Sequence, residues 1–578
     1  MENSLILTDK SEILNCFNKH FVSSGCLYET LNPTTKIFEQ KGISSPPLLA
    51  SSIGSFVFRP VTEAEVYRAL KELETDKSAG PDNLDPFFLK MSKDFITEPL
   101  TYLFNLSLLN NVIPMVWKSA FVLPLLKGGD SANLNNYRPI SKLCILAKVF
   151  EKIVAEQLRK FIEAHEILSN NQSGFQKLHS TITAAVKVVN DIIDALDCKK
   201  FCTVLFIDLS KAFDTVDHVT LLNRLHKIGL SDNAIGWFSN YLSDRTQCVH
   251  LVGMSSSFLS ITKGVPQGSV LGPLLFSIYV NDLGKKVSNA FFHFYADDTV
   301  IYCSSPSIEQ AFDFLQSAFD AVQSHLNQLR LVLNADKSKA MVFSNRKQLP
   351  SQLPKIKTAD GKEIQMVSSY KYLGFVIDEN LFFKQHIEHL VRKLKLKLSF
   401  LFRNKSCFSV YTRKRLISAT FLPLLDYGDL LFMNASDHLL KKLDTVYHCA
   451  LRFMTGCGNR VHHCTLYAAA EFPSLYVRRW SRLLTFFYKC ILGLLPSYLC
   501  KYMRKNQQQY ALRSQRNILM VVPRVRTELG KAAFQYTAPR AWNELQKDLN
   551  LSELVTLGEF KSILKKRELN ELGKCNCF

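Results

Sequence analysis

Two aromatic-rich apolar runs flank one acidic doublet: Phe291-Phe292-His293-Phe294-Tyr295-Ala296 leads into Asp297-Asp298, and Thr299-Val300-Ile301-Tyr302 follows. This pattern predicts two β-strands joined by a tight turn, with both carboxylates at the tip. Adjacent like charges beside a hydrophobic hairpin repel each other and lose solvation. A cation offsets that cost most simply. Divalent metal held by aspartates is how phosphoryl-transfer enzymes steady an attacking and a leaving oxygen. A solvated turn with two aspartates satisfies the same pattern, so the doublet alone leaves both readings open.

Upstream, Phe201-Cys202-Thr203-Val204-Leu205-Phe206-Ile207 is continuous rather than alternating, as in a strand buried on both faces. Asp208 follows at its end, where an aspartate can reach a site beside the hairpin tip. The run after Asp208 reads as more helical, which makes Asp208 a helix N-cap candidate as well. Capping does not exclude metal binding. Magnesium prefers a few carboxylates plus substrate phosphates over a full protein cage, and two or three aspartates on adjacent strands suit it.

Three segments together resemble the core motifs of reverse transcriptases: Asp208–Asp214 (D-L-S-K-A-F-D), Gly264–Pro273 (G-V-P-Q-G-S-V-L-G-P) and Phe294–Asp298 (F-Y-A-D-D). More narrowly they resemble those of LINE-type, Jockey-like retrotransposons, which lack long terminal repeats. Lys77–Asp82 is similar to the family's upstream motif. Asn136–Ser141 and Gln172–Phe175 are similar to its fingers motifs, and Leu333–Lys339 and Tyr370–Gly374 to the motifs after the hairpin. The likeness covers roughly residues 60 to 450.

The resemblance implies that Asp208, Asp297 and Asp298 are catalytic carboxylates holding two magnesium ions, with manganese an alternative and the Leu209 carbonyl a further ligand. It implies that Phe213 presses on a sugar 2′-hydroxyl and favours deoxynucleotides, although a core aromatic is the plainer reading of that residue. Gln267 and Gly268 match a loop lying against the incoming nucleotide and template. Arg138 matches an arginine that grips the triphosphate, where a planar guanidinium suits a bidentate phosphate contact. Lys127 is a second candidate for that role. Lys337 matches a lysine that protonates the leaving pyrophosphate, and Tyr372, Leu373 and Gly374 match primer and template contacts. Asp214 belongs to its motif without binding metal.

The implied fold is α+β, a right-hand polymerase. Residues 1–60 would be an extension and linker, 61–195 the fingers, 196–365 a palm with an antiparallel sheet, 366–450 the thumb, and 451–578 a helical C-terminal domain. The implied reaction is RNA-directed DNA synthesis. A primer 3′-hydroxyl, activated by one magnesium on Asp208 and Asp297, attacks the α-phosphorus of a deoxynucleoside triphosphate, and a second magnesium neutralises the pyrophosphate. RNA template, DNA primer or target, and deoxynucleotides are the implied partners. About 60 residues precede the first polymerase-like motif, so the endonuclease that LINE-type polyproteins carry there is not expected. A catalytically silent nucleic-acid-binding relic is the alternative. An RNA-dependent RNA polymerase is a third reading, and Phe213 argues against it.

A formal net charge of +20 favours a polyanionic partner, nucleic acid first and an anionic membrane second. No apolar run approaches the roughly 20 residues a spanning helix needs. Asp9 and Lys10 follow a short apolar patch, unlike a signal peptide. An intracellular location, nucleus or cytoplasm, with no membrane partner is the expectation. The 15 cysteines are odd in number and scattered, which suggests no disulfide framework. Cys449, Cys457, His462, His463 and Cys464 cluster in sequence, and Cys575 and Cys577 lie near the end, but neither group repeats a zinc-finger spacing.

Gly42–Pro47 reads as a Ser/Pro-rich linker. Thr62 and Glu65 are spaced as a capping box, which predicts a helix running to about Thr75. Phe121–Leu126 reads as a strand. Lys384–Arg415 holds ten Lys/Arg and one acid, Glu388, with Ile387, Leu390, Val391, Leu394, Leu398 and Leu401 at helical spacing. Its apolar stripe packs on a core, and its basic face, including Lys393 and Lys397, would follow a duplex backbone. A membrane-surface helix looks alike. The aromatics beyond residue 450, Trp480 and Tyr488 among them, read as core rather than as stacking platforms.

Overall fold

Every residue of Phe201–Ile207 is buried, as its unbroken apolar run predicts, in a computed structural model that describes residues 8–32, 54–285, 287–346, 349–505, 518–549 and 551–570. The Gly42–Pro47 linker and the Cys575–Cys577 pair fall outside the described residues. The chain divides into two compact units, each built from three stretches. Residues 1–175, 208–287 and 320–334 form the first; residues 176–207, 288–319 and 335–578 form the second.

The strands among the described residues are β1 (Ser119–Leu126), β2 (Tyr137–Leu143), β3 (Phe201–Ile207), β4 (Leu209–Ser210), β5 (Arg245–Leu251), β6 (Met254–Ser255), β7 (Leu259–Ile261), β8 (Phe291–Tyr295), β9 (Asp298–Ser305), β10 (Val332–Leu333), β11 (Lys339–Phe343), β12 (Gln365–Met366), β13 (Ser369–Tyr372) and β14 (Phe375–Asp378). In the first unit β1 pairs antiparallel with β2 and parallel with β5, whose other edge takes β6 and β7. The helix Lys10–Ser23 packs Leu14, Phe17 and Phe21 against Val122 and Val249 of that sheet. The helix Glu63–Lys71 begins as the Thr62–Glu65 spacing predicts, with the Thr62 N–H donating to Glu65 Oε2 (3.1 Å). It stops at Lys71 rather than near Thr75. Residues 74–78 are polar and exposed, so no apolar stripe is left to hold another turn against the core.

The second unit is organised on a sheet of order β12-β11-β3-β9-β8. Four of its strands are antiparallel, but β12 lies parallel to β11, so the sheet is mixed rather than purely antiparallel. The fold is accordingly mixed helix and sheet with mixed sheets. Cys202, Val204 and Phe206 share a core with Val188, Val189, Ile192 and Leu196 of the helix Thr181–Asp197. On the other face the Thr203 hydroxyl, buried in the strand, donates to the Ala311 carbonyl (3.0 Å). The helix Lys384–Arg403 buries Ile387, Leu390, Val391, Leu394, Leu398 and Leu401, the stripe its sequence predicts. The basic run continues into a separate helix, Val410–Leu416, capped by Ser409. Tyr488 is core, stacked on Phe560 (4.0 Å) and Trp542 (5.6 Å). No helix among the described residues is long and apolar enough to cross a membrane.

The residues after Asp208 are not helical. Leu209 and Ser210 form β4, paired antiparallel with β10, and the next helix is His218–Lys227, capped by Asp217. Asp208 is therefore no N-cap. The strand partner comes from Val332 and Leu333, distant in sequence, and tertiary pairing overrides the local preference.

Candidate active site

The acidic doublet sits where the sequence places it. β8 and β9 pair with Tyr295 opposite Asp298, which leaves Ala296 and Asp297 as a two-residue turn. Ala296 takes φ +59, a left-handed conformation that costs an L-residue about 1–2 kcal/mol. Asp297 is half-buried and Asp298 exposed. β9 also pairs with β3, with Val204 opposite Tyr302, Phe206 opposite Val300 and Ile207 opposite Thr299. The end of β3 is thus one position away from Asp298, and Asp208 is the next residue along the chain. The Asp208 carbonyl accepts the Asn334 N–H (2.9 Å), and Leu209 pairs with Leu333.

Beneath this sheet end Phe206 stacks on Tyr370 (4.2 Å) and lies 5.5 Å from Tyr372, ring centre to ring centre. Tyr372, expected to meet primer and template, is 3% exposed. Its ring fills the core because β13 turns that face inward, and its hydroxyl has no hydrogen-bond partner among the described residues. Burial first, and the charge of Asp298 second, hold its phenol far above the ordinary range. Leu373 and Gly374 form the tight turn of β13–β14 at φ +46 and +92. Lys337 is exposed, whereas its neighbour Lys339 is tied to the Asp336 carbonyl (2.5 Å) and Gln365 (2.8 Å). Lys393 is exposed, but Lys397 donates to the Thr420 carbonyl (2.8 Å).

In the first unit the Pro266-Gln267-Gly268 turn is fastened twice. The Ser141 N–H donates to the Gln267 carbonyl (2.7 Å), and the Gln267 side-chain amide donates to Asp214 Oδ1 (2.7 Å). Gly268 sits at φ +132, and a Cβ there would lie 2.3 Å from the Ser141 carbonyl oxygen, so only glycine fits. Burial pushes the Asp214 carboxyl up to about 6, against the pull of Gln267, Lys211 and Lys127. Asp214 therefore holds Gln267, and Lys127 contributes to the same electrostatic cluster. Arg138 is exposed on β2 opposite Leu125. Phe213 stacks on Phe276 (4.4 Å) and meets the edge of Phe175 (6.2 Å), which brings residues of two separate sequence motifs together.

Sequence reasoning missed Glu151. It is 3% exposed on the helix Ile145–Ala164 and accepts the N–H groups of Val270 (2.6 Å) and Leu271 (3.2 Å) and the Tyr241 hydroxyl (3.1 Å). It anchors the far side of the loop that carries Gln267. Burial raises its carboxyl, and Arg245 opposes that shift. The available signal was a charge on an apolar stripe: Glu151 stands four residues from both Ala147 and Ala155, both buried.

His462, His463 and Cys464 have donor atoms within 4.8 Å of one another at the start of a helix. Cys449 and Cys457 are not part of that group.

Residues 126–377 match a family model described as reverse transcriptase (RNA-dependent DNA polymerase). The chain is 29% identical over 407 residues to an RNA-directed DNA polymerase from the mobile element jockey of Drosophila melanogaster, covering 68% of this chain and 44% of that protein. It is 28% identical over 470 residues to a probable RNA-directed DNA polymerase from transposon BS of the same species, covering 79% and 51%. For a probable RNA-directed DNA polymerase from transposon X-element, also of Drosophila melanogaster, the figures are 27% over 429 residues, 72% and 46%. The chain thus spans about half the length of the curated relatives it matches.

Proposed function

We propose, for a chain whose residues 126–377 carry a reverse transcriptase domain, that it is an RNA-directed DNA polymerase extending a primer 3′-hydroxyl with deoxynucleotides. The observation that carries this reading is the register of β3 on β9. Residues opposite each other in a ladder present side chains on one face. Ile207 faces Thr299, which is one position from Asp298 and two from Asp297, and Asp208 follows Ile207 along the chain, which supports a reading in which the three carboxylates serve one site. Three carboxylates, hard oxygen donors on strand ends, suit a divalent cation such as magnesium. When bound, such ions supply charge stabilisation to the attacking and leaving oxygens.

The chain's own residues do the positioning. Asp208, Asp297 and Asp298 hold the metals, with the Leu209 carbonyl a further ligand. Phe213, backed by Phe276 and edged by Phe175, forms a rigid wall against the sugar and excludes a 2′-hydroxyl. Gln267 and Gly268, fixed through Asp214 and Ser141, present a rigid loop edge to the nucleotide. Arg138 and Lys127 take the triphosphate, and Lys337 protonates the leaving pyrophosphate. Leu373, Gly374 and Lys393 meet primer and template. Tyr372 supports that turn from within, and Lys397 contributes through its stem because its ammonium is occupied by Thr420. In the vocabulary of right-hand polymerases, the second unit's central sheet is the palm core and the Lys384–Arg403 helix belongs to the thumb.

The test is primer extension with an RNA template, a DNA primer, deoxynucleotides and magnesium. Asp208→Ala or Asp297→Ala should abolish extension while RNA binding survives. Equal extension by mutant and wild-type protein refutes the assignment. No extension by wild-type protein that still binds RNA would favour the silent relic, and ribonucleotide use would favour an RNA polymerase.

A further inference from the structure

The helix Thr181–Asp197 carries Lys187, Asn190, Asp191, Asp194 and Asp197 at helical spacing, the pattern of a face turned to water. Most of that stripe is covered instead, with Asp194 left exposed. Lys187 is 7% exposed, Asn190 2% and Asp197 7%. The cover comes from far along the chain. Asp197 accepts the N–H of Arg526 (3.0 Å), the N–H of Thr527 (2.8 Å) and the Thr527 hydroxyl (2.7 Å). Asn190 accepts the Gln535 N–H (3.1 Å), and the Gln535 amide donates to Asp194 (2.8 Å).

Asp191 is where this docking meets the acidic hairpin. Its Oδ1 accepts the Tyr502 hydroxyl (2.9 Å), its Oδ2 accepts the Tyr302 hydroxyl (2.5 Å), and Lys187 pairs with it. Tyr302 is in β9, four residues past Asp298, and is 3% exposed. Burial first, and the Asp191 charge second, keep both phenols protonated, so each remains a donor. The same segment reaches β8: the Tyr498 ring stands edge-on to the His293 ring (5.4 Å). Register places His293, opposite Val300, on the sheet face that also carries Tyr302 and Asp298. Hydrogen bonds to a charged acceptor are the stronger ones.

We propose that residues 498–505 and 518–535 form a strut that positions the acidic hairpin, with Asp191 the positioning residue between Tyr502 and Tyr302. The strut is part of the machinery rather than a separate binding domain. Its effect on catalysis rests on the polymerase reading; its effect on the hairpin does not.

Two measurements on the full chain test it. The first is hydrogen exchange of the 291–305 peptides in wild type and Tyr502→Phe. The second is primer extension with kcat referred to titrated active sites. Tyr502→Phe should loosen 291–305 and lower kcat about tenfold, the equivalent of one charged hydrogen bond, with KM for deoxynucleotide unchanged. Tyr302→Phe should do the same. The double variant should be little worse than either, because both act through one carboxylate. Unchanged exchange in 291–305 overturns the proposal. So does a lower melting temperature with unchanged kcat per active site, which is what a merely structural bond gives. Loosened exchange in a protein whose wild type shows no extension would support the strut and remove the polymerase reading instead.

Discussion

The hairpins β8–β9 and β13–β14 belong to the same unit, each turns in two residues after a tyrosine, and each needs left-handed backbone to do so. At the tip they part. β13–β14 uses Leu373 and Gly374, and the glycine takes the larger positive φ where a side chain would meet the Tyr427 ring. The Leu373 carbonyl is bonded by the Tyr427 hydroxyl (2.8 Å). β8–β9 puts Ala296 at φ +59 and follows it with two adjacent carboxylates. Each tip keeps one residue with a side chain, Leu373 or Ala296, in left-handed backbone, and the β13–β14 tip carries no charge. The β8–β9 tip adds to that strain a concentration of negative charge beside an apolar sheet. Local rules broken without a structural gain mark the place where function is exacted.

The largest expected effect tests that contrast directly. Asp297→Asn should lower primer extension on the order of a thousandfold or more. Its melting temperature should hold or rise, because one of two adjacent like charges is gone. A clear loss of stability would mean that the carboxylate is structural and that the two tips differ in degree only.

The opposite profile is expected at the other tip. Gly374→Val should destabilise the protein by about 2–3 kcal/mol in urea unfolding, from the left-handed penalty and the approach of its Cβ to within 3.1 Å of the Tyr427 ring. Ala296→Gly, the inverse exchange at the acidic tip, should change stability by less than about 1 kcal/mol.

Acid should reveal what the two hairpins share. His293 in β8 is held neutral by burial, its pKa lowered to about 3, and His386, whose ring lies 5.8 Å from Phe375 of β14, is lowered to about 4. A histidine whose folded pKa is depressed stabilises fully above its unfolded value, and that stability drains as pH falls towards the folded value. Between pH 7.5 and 5 each should cost about 2 kcal/mol, and His293→Phe or His386→Phe should each remove one such increment from the urea midpoint difference. Below pH 4 only the His293 contribution should keep growing. An unchanged acid profile in His293→Phe would show that its ring is solvated.

What the sequence revealed followed period and composition. The strand at Phe201–Ile207, the acidic turn and the apolar stripe from Ile387 to Leu401 each announce themselves within one segment, and each is where its pattern puts it. What stayed hidden depended on a partner far along the chain. The run after Asp208 became β4 because Val332 and Leu333 came to pair with it. The polar stripe from Lys187 to Asp197 reads as solvated until Tyr502, Thr527 and Gln535 are seen to cover it. Glu151 reads as one helix charge among several until Val270 and Leu271 turn their N–H groups towards it. Period shows which face is apolar and is silent on what covers the polar one.

The smallest expected effect returns to the quieter hairpin. The Tyr372 hydroxyl is buried beneath the sheet end without a hydrogen-bond partner among the described residues, and the charge of Asp298 acts on it. Removing an unsatisfied polar group leaves nothing else unpaired, so Tyr372→Phe should be neutral or stabilising by up to about 1 kcal/mol. Asp298 itself argues for a modest gain, since its charge disfavours only the ionised phenol, which burial already forbids. A destabilisation larger than about 1 kcal/mol would mean that the hydroxyl is bonded after all. The β13–β14 hairpin would then, like its neighbour, retain a group whose use lies outside folding.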